Sequence, residues 1–283
     1  MTYRPRTRIR THKLRRTAIV VACLSALVLT ASSPANAIVG GALVPTTAVQ
    51  PASTPKVVGG TDAGAHAYGW MVRLSIGCDG ALVAPRVVLT AGHCVAGTGR
   101  NTTIQATAGA ADLNSVRAIT IDSTYVQRAA GFKDAMKGND WAVIQLAGPL
   151  TDPLLALPSS AAYDKGLFRV VGWGATRENG TQQTKLRSAL VPFVSDAACA
   201  KAYHGDPFVK SQMICAGNLA RGGVDACQGD SGGPLVRRDS AGAYVEVGIV
   251  GWGLGCARRG FPGVYTQVST FLPAIKAAIA KLS

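Results

Sequence analysis

The sequence is short of acid, of aromatic rings and of long apolar runs. Its 283 residues hold 15 Asp and Glu against 29 Lys and Arg; charged residues make up 16% of the chain and Phe, Trp and Tyr together 6%. So few charges, alongside 33 glycines, exclude coiled coils and helical arrays, whose outer faces need charge and whose interiors reject Gly. The longest apolar run lies near the N-terminus and is too short to span a bilayer, so no integral membrane protein is implied. Cys-x-x-Cys spacing is missing, which makes a structural zinc site a poor reading. Against these absences stands a hydrophobic content of 48%, enough to build a core and to exclude wholesale disorder. A β-rich globular chain with many tight turns is what remains.

Acid is lacking altogether from residues 1–56, which carry eight basic residues: Arg4, Arg6, Arg8, Arg10, Lys13, Arg15, Arg16 and Lys56. Setting those eight aside leaves 21 basic against 15 acidic residues, so the formal charge of +14 falls to +6 for residues 57–283. A nucleic-acid partner therefore loses most of its electrostatic support, and the pairs Arg237-Arg238 and Arg258-Arg259 read as solvated loop residues. Residues 1–16 form a basic leader, Ala18 to Leu29 an apolar stretch broken only by Ser25, and Ala35-Asn36-Ala37 a small-x-small cleavage pattern. Together they predict a signal peptide over 1–37 and a secreted, extracellular product with no membrane attachment once it is removed. Residues 38–56 carry no charge before Lys56 and read as an activation propeptide, leaving 57–283 as the working domain.

Cys23 belongs to the discarded leader. Cys78, Cys94, Cys199, Cys215, Cys227 and Cys256 remain, an even number that suits three disulfides in an oxidising compartment, with the pairing left open by sequence alone. From Val57 on, short β-branched or aromatic runs are bounded by Gly, Asn, Asp or Pro. They include Val72 to Ile76, Val87 to Leu89, Val116 to Ile121, Trp141 to Leu146, Phe168 to Val171, Tyr244 to Val250 and Val264 to Val268. Only Phe271 to Leu282 reads as a helix, with Ser269 or Thr270 as N-cap and Pro273 in the first turn. The fold class is all-β with one terminal helix; this length holds one large sandwich or two small barrels.

Chemistry concentrates in Gly229-Asp230-Ser231-Gly232-Gly233-Pro234. Small residues around one serine let the backbone turn sharply, expose the hydroxyl, and leave the amides of Gly229 and Ser231 free to converge on one point. A serine needs a base and a group that orients it. Residues 57–283 contain three histidines, His66, His93 and His204. Of these His93, in Thr90-Ala91-Gly92-His93-Cys94, follows a buried-strand pattern and sits beside a cysteine, which makes it the expected base. Asp140 opens the apolar run Trp141-Ala142-Val143-Ile144, where a carboxylate is costly unless strongly hydrogen-bonded; it is the expected orienting group. Asp112, Asp122 and Asp134 lie in more polar stretches and read as surface residues.

With His93 in Thr-Ala-Gly-His-Cys, Asp140 before Trp-Ala-Val-Ile and Ser231 in Gly-Asp-Ser-Gly-Gly-Pro, the chain resembles the trypsin-like serine proteases, which share this His, Asp, Ser order. It looks most like the trypsins secreted by actinomycete bacteria. Gly92 is a departure, since the family usually has Ala there. The resemblance implies two six-stranded antiparallel Greek-key barrels, roughly 57–155 and 165–268, a helix over about 270–282, and an active site between the barrels. It implies disulfides Cys78–Cys94, Cys199–Cys215 and Cys227–Cys256, an oxyanion hole from Gly229 and Ser231, and a substrate slot involving Asp225, Ala226, Gln228, Gly251, Trp252, Gly253 and Gly263. Asp225 would sit at the base of that slot and select Arg or Lys. Ala226, where many trypsins carry a hydroxyl, favours the forked guanidinium over the compact ammonium.

Family members are switched on when a new N-terminal amine pairs with the Asp before the catalytic Ser, here Asp230. Both Ile38-Val39-Gly40-Gly41 and Val57-Val58-Gly59-Gly60 could supply it; cleavage after Lys56, freeing Val57, fits the interval to His93. Expected partners are protein or peptide substrates and protein protease inhibitors, with the enzyme a monomer and no cofactor. No metal is expected, since Ala108 to Val116, where many animal trypsins hold calcium, offers only Asp112. An inactive relative serving as an extracellular binding module is the alternative, weakened because no member of the triad is missing.

Overall fold

A computed structural model describes residues 58–64 and 67–283. The expected signal peptide, propeptide, Lys56, Val57 and His66 lie outside the described residues. Among the described residues, fourteen strands and two α-helices follow in chain order: β1 Thr61–Asp62, β2 Met71–Leu74, β3 Asp79–Ala84, β4 Val87–Thr90, β5 Gly99–Arg100, β6 Gln105–Ala108, β7 Ile119–Arg128, β8 Ala142–Leu146, β9 Leu167–Gly172, β10 Arg187–Val194, α1 Asp196–Ala202, β11 Met213–Ala216, β12 Pro234–Arg238, β13 Tyr244–Trp252, β14 Gly263–Gln267 and α2 Val268–Leu282.

Two antiparallel barrels close on six strands each. The first runs β7-β6-β2-β3-β4-β8 and returns to β7; the second runs β9-β10-β11-β14-β13-β12 and returns to β9. Closure removes free sheet edges, which a chain with little charge cannot otherwise protect. The two-residue strands are attached outside these circuits, β5 on β7 and β1 on β10. β1 therefore belongs with the second barrel although it precedes the first in sequence.

The apolar runs are continuous because alternate residues are buried on both faces of a strand. Val88, Ala142, Ile144 and Leu146 fill the first barrel. Their neighbours Val87, Leu89, Trp141 and Val143 join Ile249 of the second barrel and Val268, Ile275, Ala278 and Leu282 of α2 in a separate cluster. β4 and β8 thus have no solvent face, and the period of two is hidden by burial on either side. The end of α2 is held to the first barrel as well, since Gln145 Nε2 donates to Leu282 O at 2.9 Å.

Three local expectations need correction. The terminal helix begins at Val268 with Gln267 as N-cap, so Pro273 sits within it rather than in its first turn; the Ser269 hydroxyl donates to Asp164 instead of capping. A second helix, α1, was not expected. It has only seven residues, too few for a periodic pattern, but Ser195 caps it by accepting from Ala198 N, with Asp196 in its first turn. The run Val116 to Ile121 is not one strand: Val116 is fully exposed and β7 starts at Ile119, continuing through polar residues to Arg128.

One core residue carries a cost. Glu246 on β13 is fully buried, and neither carboxyl oxygen finds a hydrogen-bond partner among the described residues. Burial raises its pKa well above the ordinary carboxylate range. Above the unfolded value of about 4.3 the unfolded chain ionises while the folded one stays protonated, so the fold loses about 1.4 kcal/mol per pH unit until the folded group ionises too. Glu246→Gln should therefore gain melting temperature relative to wild type as pH rises from about 4 to about 8. A difference in melting temperature that does not change with pH would contradict this.

Candidate active site

β4 and β8 are antiparallel with Thr90 opposite Ala142. The chain leaving β4 and the chain approaching β8 therefore meet, and the residues just beyond this pair, His93 and Asp140, come together. The Asp140 carboxylate is buried. Its Oδ2 lies 2.8 Å from His93 Nδ1 and its Oδ1 accepts from the His93 backbone amide at 2.8 Å. Both carboxylate oxygens are thus spent on one residue, which fixes the ring and places the hydrogen on Nδ1, leaving Nε2 as the basic nitrogen. Thr266 on β14 donates to Asp140 O at 2.8 Å, tying this corner of the first barrel to the second. The Cys78–Cys94 disulfide stands next to His93 in sequence. Gly92 is closely confined: a Cβ there would come within 3.2 Å of Phe132 and of the Trp141 backbone.

Ser231 lies in the turn before β12. Gly232 N donates to Val250 O at 2.9 Å and Val250 N to Gly233 O at 2.8 Å, fastening the turn to β13. Gly232 has φ +78° and packs against Thr90 and Ala91, where a Cβ would collide. Only glycine meets both requirements. This packing brings the serine turn against the segment that leads into His93. Among the described residues both hydrogen bonds of His93 go to Asp140 and none reaches Ser231; serine–histidine contacts of this kind often tighten only around a substrate. The amides of Gly229 and Ser231 have no acceptor among the described residues, as an anion-binding pair requires.

Beside Ser231 opens a slot of about 140 Å³ lined by Asp225, Ala226, Gln228, Gly251, Trp252, Gly253 and Gly263, among others. All seven residues expected there are present. Asp225 is buried; its Oδ1 accepts from Tyr265 Oη and from Ala226 N, each at 2.8 Å. Burial outweighs those bonds and pushes its pKa up to about 7. A Cβ on Gly263 would lie 2.5 Å from that carboxylate, so glycine keeps the approach open, whereas one on Gly253 would meet nothing closer than 3.7 Å. Tyr265, on β14 between the glycine wall and the core, was not expected from the sequence; it stands two residues after Gly263.

Asp230 is buried, with Oδ1 accepting from Gly174 N at 2.7 Å and Oδ2 from Cys227 N at 2.9 Å. Burial raises its pKa to about 6. Val58, the first residue described, packs with Ala175 and the bonded pair Cys227–Cys256, and its carbonyl accepts from Asp225 N at 3.2 Å. The third disulfide joins Cys199 on α1 to Cys215 on β11. His204 is exposed, and Asp112, Asp122 and Asp134 are not buried. Arg237 serves local carbonyls of Tyr163 and Lys165, and Arg258 pairs with Glu178. Among the described residues no helix is long and apolar enough to cross a membrane.

Comparison with known proteins agrees with this geometry. The family model described as Trypsin matches residues 57–275. A trypsin-like protease of Streptomyces glaucescens is 49% identical over 253 residues, 89% of this chain and 92% of its own. Trypsin-1 of Astacus astacus is 38% identical over 78% of this chain and 99% of its own, and a trypsin of Saccharopolyspora erythraea 37% identical over 76% and 94%.

Proposed function

We propose that this chain, which belongs to the trypsin family of serine proteases, is a secreted endopeptidase that cuts after Arg or Lys and is released from a zymogen by cleavage after Lys56. The observation that carries the reading is a buried carboxylate, Asp225, at the base of a narrow slot whose lining also includes Ser231. A carboxylate so placed is stabilised by a cation reaching down the slot, and the scissile carbonyl of that residue then comes to the serine.

In this mechanism Ser231 attacks the carbonyl while His93 Nε2 takes its proton and later returns it to the leaving amine. Asp140 stabilises the imidazolium that forms between these steps. The amides of Gly229 and Ser231 receive the oxyanion; losing one such donor costs roughly 3–4 kcal/mol of barrier. An acyl-enzyme forms and water, activated by the same histidine, releases it. Gly251, Trp252 and Gly253 would pair with substrate backbone as an added strand. Val58, docked beside Cys227, supports Val57 as the residue whose freed amine pairs with Asp230, an interaction whose absence would leave a buried charge costing about 3–5 kcal/mol.

The test is peptide profiling with enzyme whose N-terminus is Val57. Cleavage after Arg and Lys, blocked by benzamidine and by stoichiometric fluorophosphonate labelling, supports the reading. Absent labelling returns the molecule to a binding role, and full activity with Ile38 at the N-terminus overturns the activation site. Since Ala226 offers no hydroxyl to an ammonium, kcat/KM on matched peptides should favour Arg over Lys; equal values would refute that preference.

A further inference from the structure

The serine turn is gripped from the first barrel by two residues that lie outside the triad, the slot and the activation pair, one through its side chain and one through its backbone amide. Arg73 on β2 donates through Nη1 to Gly229 O at 2.9 Å and to Asp79 Oδ1 at 3.0 Å, and through Nη2 to Gln182 Oε1. Asp79 opens β3 and is fully buried. Its Oδ2 accepts from Trp173 N at 2.9 Å, and its backbone amide donates to Ser231 O at 2.8 Å. The carbonyls on either side of Asp230 are therefore both held, one by a guanidinium and the other by the residue that orients it.

Gly229 needs such a hold. Its φ of +99° and lack of a Cβ leave its carbonyl free to rotate. Its own amide is already steadied because Ala175 N donates to the preceding carbonyl, Gln228 O, at 2.8 Å. Fixing the carbonyl on the other side completes the restraint, and fixing Ser231 O restrains the peptide that follows the second amide. The arrangement carries a cost that a packing role alone does not explain. Asp79 and Asp230 lie so close that a Cβ on Gly172 would overlap both, and burial pushes Asp79 up to about 7 although Arg73 opposes it. An apolar residue at position 79 would avoid two adjacent buried carboxylates but would leave the guanidinium fork unaligned.

Resting on the triad reading above, we propose that Arg73, aligned by Asp79, is a positioning residue that sets the two oxyanion-binding amides. It touches neither substrate nor the slot, so its removal should weaken binding of the transition state while sparing the ground state.

The experiment compares wild type with Arg73→Met, Arg73→Lys, Asp79→Asn and the Arg73→Met/Asp79→Asn pair, using three readouts on Val57-terminated enzyme. Arg73→Met should lower kcat about ten- to hundredfold and weaken an argininal peptide aldehyde, whose adduct places an oxyanion at the amides, in parallel. Benzamidine, which reads only the slot, should change by less than about twofold. Asp79→Asn should lose less, about threefold, because its amide oxygen can still accept from Arg73, although its amide nitrogen then faces the Trp173 N–H and cannot accept from it. The double variant should be no worse than Arg73→Met, since Asp79 acts through the arginine. An Arg73→Met enzyme with wild-type kcat, or one in which aldehyde and benzamidine weaken equally, overturns the inference. If Arg73→Met does not fold, Arg73→Lys decides by the same aldehyde-to-benzamidine ratio, because it keeps the charge beside Asp79 but not the fork. Wild-type turnover separates the two levels: an active wild type with unaffected Arg73 variants removes this inference alone.

Discussion

Ser231→Ala should reduce kcat by about a millionfold on an Arg peptide, the magnitude seen in other Ser-His-Asp enzymes. The variant should still bind benzamidine as wild type does. The separation follows from the proposed roles: Ser231 and Asp225 both line the slot, with the cation assigned to the Asp225 carboxylate, not to the serine hydroxyl. Losing the hydroxyl removes the acyl-enzyme route but neither the amides of Gly229 and Ser231 nor the slot, so residual catalysis above water should survive through oxyanion stabilisation. His93→Ala should fall by a similar factor, and the pair together no further, because the three side chains act as one unit. Active-site titration with a fluorophosphonate gives the control. A Ser231→Ala protein that still labels, or retains about a hundredth of wild-type kcat, would place the nucleophile elsewhere.

The second large effect belongs to the slot. Asp225→Ser should lower kcat/KM on Arg peptides by about 10²- to 10⁴-fold, since a buried cation is left without its partner at a cost of about 3–5 kcal/mol. Cleavage after Leu or Phe should gain in relative terms. Part of the loss comes from Tyr265, whose hydroxyl loses the Asp225 Oδ1 acceptor 2.8 Å away. Protons also compete with the cation for this carboxylate. With Asp225 raised to about 7 by burial, benzamidine should bind the wild type more weakly as the pH falls through that value, because only the ionised form attracts an amidinium. Asp225→Ser should show no such pH dependence. An unchanged Arg preference in the variant would move specificity away from this residue.

Much of this site is legible in the chain because its parts announce themselves by exception. A glycine-walled serine, a histidine next to cysteine, and a carboxylate at the mouth of an apolar run are each unfavourable unless used. The antiparallel register of β4 and β8 then supplies what no linear pattern contains, the meeting of His93 with Asp140 across 47 positions. Barrel closure is implied only through resemblance, since the doubly buried strands hide the alternation that would reveal a sheet face. α1 is too short to leave a helical period. Asp79 is hidden for a different reason: a charged residue flanked by cysteine and glycine looks like a turn, and only the folded molecule encloses it with Arg73, Asp230 and Trp173. Arg73 lies in an alternating strand, where a charged residue is ordinarily an outward one.

The position of α2 has a practical consequence. Its apolar side touches residues of both barrels, and its last carbonyl is bonded to Gln145 of the first. A surface anchor or a pulling force applied at Ser283 would thus bear on the apolar cluster that α2 shares with both barrels before either barrel yielded. Immobilised enzyme should keep more of its turnover when the anchor is reached through a slack spacer than when it is attached flush with the final turn.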